Sequence, residues 1–107
     1  MATNELAGAL ALIRSGDWSQ RRQGALTLGR LRGSAAVEAL AGVLSETERK
    51  ENTAVLQAAI EALRQIGDPA SIPALHRIAN WRDPLSLHEE DTRAAARSAL
   101  AEMVGAG

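Results

Sequence analysis

The stretch "EALRQIGDPASIPALHRIAN", Glu61 to Asn80, decides the fold, because its centre reads as punctuation between two helices. Upstream, Val55, Ala59, Ala62, Leu63 and Ile66 recur at spacings that place them on one face of a helix of 3.6 residues per turn. Gly67 stops that helix. Asp68 can cap the next one by accepting from free backbone amides, and Pro69 suits a first helical position, where no N–H is needed. The second helix runs to about Asn80 with Ile72, Leu75, Ile78 and Ala79 inward, and Pro73 falls in its tolerant first turns. The stretch is thus a turn, expected to matter for stability.

The pattern recurs. "ALTLGRLRGSAAVEAL" (Ala25 to Leu40) aligns without gaps on "IEALRQIGDPASIPAL" (Ile60 to Leu75) at a shift of 35, and "RSALAEMVG" (Arg97 to Gly105) repeats the opening part at a further shift of 37. Leu28, Leu63 and Leu100 are then equivalent, as are Leu31, Ile66 and Met103. A period of this length with helical spacing inside it denotes a stacked helical array. Gly33-Ser34 stands where Asp68-Pro69 stands later, while Asp17 and Asn52 are placed to cap first helices. The chain reads as one domain over 1–107: a half-repeat helix at 3–16, repeats at 17–45 and 52–80, and a half-repeat helix at 89–104.

"ALRQIGDPASIPAL", Ala62 to Leu75, resembles the short HEAT repeats, in particular the phycobilisome lyase type. The resemblance implies an all-α, right-handed solenoid of stacked helical hairpins with about six helices, and a role in scaffolding or adapting other proteins. Arg21 and Arg93 stand at the family's Arg position and Gly29 at its first Gly; Leu56, Arg64 and Ala101 depart, which would break any Arg ladder in the middle. Arg21 is expected to pair with an acid such as Asp17. The connections Ser45 to Asn52 and Asn80 to Asp91 exceed the family's usual length and are expected to protrude from one edge. Some proteins of the subtype handle bilin chromophores, but they are longer chains, and nothing here marks a tetrapyrrole site.

Composition narrows the chemistry. Among 107 residues there is no Cys, Phe or Tyr, and only two Trp, so the core must be Leu, Ile, Val and Ala. Disulfides and thiolate chemistry are excluded, and with no leader-like or membrane-length apolar run the expected location is cytoplasmic. The net charge of −1 gives no global field for nucleic acid or membrane. "HEED", His88 to Asp91, puts four potential ligands in sequence, but consecutive helical residues diverge, so no metal is expected. Hydroxyls such as Ser15, Ser34, Ser71, Ser86 and Thr92 sit mostly at turns and caps, and no phosphate-binding glycine loop occurs. The reading is not an enzyme, with no cofactor.

What remains is a surface. Subtracting inward residues from the second helices leaves Leu12 on the first, Glu38, Ala41 and Gly42 on the next, and His76, Arg77 and Asn80 on the third, ending at Trp81. That strip is the expected site for a partner protein's helix or extended segment. Alternatives are nucleic-acid binding through Arg14, Arg21, Arg22, Arg30 and Arg32, or a structural piece of a larger repeat assembly. Apolar terminal helices, with Leu6, Leu10, Leu12 and Ile13 on the first and alanines on the last, add the expectation of a homo-oligomer through the ends. Trp18 is expected to staple the start of the helix after Asp17.

Overall fold

The computed structural model describes residues 2–45, 53–80 and 89–105, and side chains for 5–45, 53–80 and 90–103. The expected cap at Asn52, the protruding connections, Trp81 and His88 lie outside the described residues. Six α-helices are described: α1 (Ala2–Ile13), α2 (Trp18–Leu31), α3 (Ser34–Val43), α4 (Thr53–Ile66), α5 (Ile72–Ala79) and α6 (Glu89–Gly105).

Local chemistry sets the boundaries. Asp17 caps α2, its carboxylate accepting from Ser19 N–H at 2.9 Å. Trp18, expected to staple this corner, is instead 50% exposed. The staple position precedes the cap, and Gly16 occupies it; Trp18 follows the cap, in the first turn. Gly67 takes φ +70° and Asp68 accepts from Ala70 N–H at 2.9 Å, as the turn reading requires. The helix after it begins later than Pro69: Pro69–Ser71 form a 3-10 turn, and the α-helix starts at Ile72. Pro73 has no N–H to give the Pro69 carbonyl, so that carbonyl takes the Ile72 N–H in the tighter turn.

At the equivalent turn after α2, Arg32 holds φ +65° where the later repeat has Gly67, followed by Gly33 at φ +94°. Gly33 takes the capping position of α3 without a side-chain bond, so Ser34 is the first helical residue and not a cap. A non-glycine residue in the Arg32 conformation costs on the order of 1 kcal/mol or more.

The helices form two layers. α2, α4 and α6 make one, with α4 between α2 and α6; α1, α3 and α5 make the other, each packed along the helix that follows it. The terminal helices are therefore both partnered, α1 by α2 and α6 by α5. The Cα envelope measures 43 × 36 × 15 Å. Helix axes ~8–10 Å apart, with Cα atoms ~2.3 Å from each axis, span roughly 13–15 Å, so the thin dimension is two helices deep.

Two glycines set the spacing. A Cβ on Gly24 would lie 2.9 Å from the Ala9 carbonyl oxygen and from Leu12 Cβ, so α1 crosses α2 in near backbone contact. A Cβ on Gly29 would lie 2.7 Å from Ala62 Cβ, which brings α4 equally close. Positions equivalent to Gly24 are Ala59 and Ala96, both fully buried. Of the face expected on α4, Val55, Ala59, Ala62 and Leu63 are buried and Ile66 half-buried. Leu56, Ala58 and Ile60 are buried as well, because α4 has neighbours in α2, α3 and α6 and shows little free surface. Leu56, where the flanking repeats have Arg21 and Arg93, is fully buried.

Between α4 and α6 the polar counterpart is Arg64. Its guanidinium pairs with Glu61 on the same helix and reaches Glu102 across the layer, Nη1 to Oε1 at 3.0 Å. The Arg64 hydrogen bond and charge hold the Glu61 carboxyl below the ordinary carboxylate range.

The open and closed glycines should respond oppositely to one methyl group. Gly24→Ala should destabilise by about 1–3 kcal/mol, the overpacking cost exceeding the helix-propensity gain of about 1 kcal/mol. Gly8→Ala and Gly42→Ala, where a Cβ meets nothing within 4 Å, should stabilise by up to about 1 kcal/mol; urea midpoints check all three. The Glu61 contribution is fully present above the ordinary value of 4.5 and is lost as pH falls through the lower folded-state value. The urea midpoint should therefore drop as pH falls below about 4.5, and drop less in Glu61→Gln.

Candidate partner-binding surface

The outward sides of α1, α3 and α5 form one side of the slab. On α3, Glu38 and Gly42 are exposed and Ala41 is half-buried against the core. Gly42 faces open space, and Ser45 beyond it donates its hydroxyl to the Gly42 carbonyl at 2.7 Å. On α5, His76, Arg77 and Asn80 are exposed, and Arg77 has no ion-pair partner among the described residues. Leu12 stands apart from this group: it is half-buried with its Cβ beside Gly24, turned to α2.

Two depressions lie beside these residues. One, between α1 and α3, brings Gly42 together with Leu10, Ile13, Arg14, Ser15 and Ala39. The other, between α5 and α6, brings His76 and Asn80 together with Ala79, Arg97, Leu100 and Ala101. Helix-by-helix reasoning missed Leu10, Arg14, Ala39, Arg97, Leu100 and Ala101, because these grooves arise between helices. One signal was present in the sequence. Arg97 occupies the position of Ala25 and Ile60, which are buried, and a charge at a repeat position that is otherwise core marks the last stacked face. Arg97 is 53% exposed and lies 3.6 Å from Glu90. Gln23 and Thr27 do the same at the other end, where α4 and α6 carry the alanines Ala58, Ala62, Ala95 and Ala99.

The five arginines near the first repeat are dispersed in role. Arg30 holds Glu5 of α1 at 2.7 Å, and Arg21 Nε donates to the Ile13 carbonyl at 2.8 Å, closing the end of α1. Arg14, Arg22 and Arg32 are exposed.

Among the described residues, no three His, Asp or Glu side chains gather as a metal site, and no helix is long and apolar enough to cross a membrane. No curated protein and no solved structure matches the chain. The HEAT repeats match residues 6–101, a match to the family as a whole. With its stacked hairpins, its glycine-set spacing and that match over most of its length, the chain belongs to the HEAT-repeat family.

Proposed function

We propose that this chain is a non-catalytic, cytoplasmic protein-interaction module, a single domain that takes a partner's helix or extended segment on the side formed by α1, α3 and α5. HEAT repeats are commonly protein-interaction scaffolds, which supports the general reading. The observation that carries the particular one is the open, short-side-chained row on α3. Ala41 and Gly42, next to Glu38, leave room for a partner's apolar stripe, with a groove to Leu10 and Ile13 on one side. His76, Arg77 and Asn80 offer polar contacts on the other side, Arg77 suiting a partner carboxylate. Trp81 completes the proposed set beyond Asn80. A homo-oligomer through the ends would have to bury Gln23 or Arg97, so a hetero-partner is the favoured occupant of this chain's surface.

Gly42→Arg tests the reading cleanly, since the position is open and the change improves helix propensity. Gly42→Arg and Arg77→Glu should each weaken the partner complex at least tenfold, about 1.4 kcal/mol, with melting temperature maintained. Arg22→Glu, on the other layer, should leave that complex intact. The opposite pattern, loss with Arg22→Glu and normal binding by both others, would move the working surface to α2.

A further inference from the structure

Two equivalent grooves in the first layer have opposite chemistry. Between α4 and α6 the groove is closed from within, Arg64 lying between Glu61 and Glu102. One repeat earlier, the same positions hold Gly29 for Arg64, Leu26 for Glu61, Gln65 for Glu102 and Arg32 for Gly67. No internal ion pair can form across α2 and α4 at those positions, and a depression of about 600 Å³ remains along the outward side of α2. Gln23, Thr27, Arg30 and Arg32 line it with Gly29, and Gln65 of α4 reaches in beside Gly29, its Oε1 3.1 Å from where a Cβ would stand.

We propose that this depression is a second binding site, for an extended peptide segment of a partner protein that carries Asp or Glu side chains. Three observations converge. Arg30 stands on the rim in an exposed pair with the Glu5 carboxylate at 2.7 Å, weak enough for a partner carboxylate to exchange into. Arg32 is exposed, has no ion-pair partner among the described residues, and keeps a left-handed backbone that its repeat equivalent assigns to glycine. Strained non-glycine backbone of this kind clusters at ligand clamps and active sites. Gln23, Thr27 and Gln65 supply amide and hydroxyl groups that pair with a peptide backbone. A polyphosphate strand is disfavoured, because of the two rim arginines only Arg32 is not already held by an acid, which suits a single carboxylate better than a run of phosphates. The site lies on the layer opposite α3 and α5 and does not depend on the surface proposed above.

The test is a titration of the isotope-labelled chain with acetylated tetraglutamate, followed by amide NMR shifts. Saturable shifts centred on Gly29, Arg30, Arg32 and Gln65 are expected, weaker with tetraglutamine. Arg32→Gly should reduce the affinity about three- to fivefold, the span of an exposed ion pair, while raising the melting temperature through relief of the backbone. That pairing separates lost contact from lost fold. Shifts absent or centred elsewhere, equal binding of tetraglutamine, or undiminished binding by Arg32→Gly would each overturn the proposal. Tighter, steeply salt-dependent binding of a thymidine oligomer at the same amides would also overturn it, in favour of nucleic acid.

Discussion

Helix α2 touches its neighbours through backbone. Gly24 admits α1 and Gly29 admits α4, and each would place a Cβ within 3 Å of atoms on the facing helix. A glycine inside a helix forfeits about 1 kcal/mol relative to alanine, so two in one helix are a substantial local loss. What offsets it is the burial that close approach permits. Leu28 and Leu40 are fully enclosed in a slab only two helices deep, without any Phe or Tyr to fill space. In a core of Leu, Val, Ile and Ala, packing density has to come from short distances between axes.

Because the array is built by repetition, information resides in the positions where repeats differ. Where a helix has a neighbour on its leading side, Ala58, Ala62 and Ala99 are buried; where it has none, the residues are Gln23 and Thr27. Arg97 replaces buried Ala25 and Ile60 at the trailing end. These substitutions give the stack polar ends. Gly29 and Arg64 show the same logic on the outward side, one leaving a groove open and the other filling it with an ion pair. Candidate sites in such a protein are read as broken equivalences, since the grooves arise between helices.

Much of this architecture was legible beforehand. The repeat, the caps at Asp17 and Asp68, and the helix stop at Gly67 follow from short-range chemistry that a sequence carries openly, and the family from the resemblance of Ala62 to Leu75. Side-chain placement across helices was less legible. Gly8, Gly24, Gly29 and Gly42 look alike in sequence, yet two are packed against backbone and two face open space, a distinction made by neighbours many residues away. The single amphipathic face expected of α4 omits Leu56 and Ile60, which are buried because three helices surround α4. Proximity to Asp17 suggests a staple role for Trp18, but Trp18 follows the cap where a staple residue precedes it, and it is exposed. For the candidate surface, subtracting inward residues under the family's helix orientation leaves Glu38, Gly42, His76, Arg77 and Asn80 facing solvent, as they are, while the grooves beside them arise between helices and show in no single helix's pattern.

The central claim is that backbone-close contacts at Gly24 and Gly29 set the spacing of the array. Proton–proton Overhauser contacts in solution measure it most directly, since their intensity falls steeply with distance. Strong cross-peaks from the Gly29 α-protons to the Ala62 methyl, and from the Gly24 α-protons to the Leu12 β-protons, are the expected result. Weak or absent cross-peaks at both positions, in a chain whose helices are otherwise formed, would contradict the account.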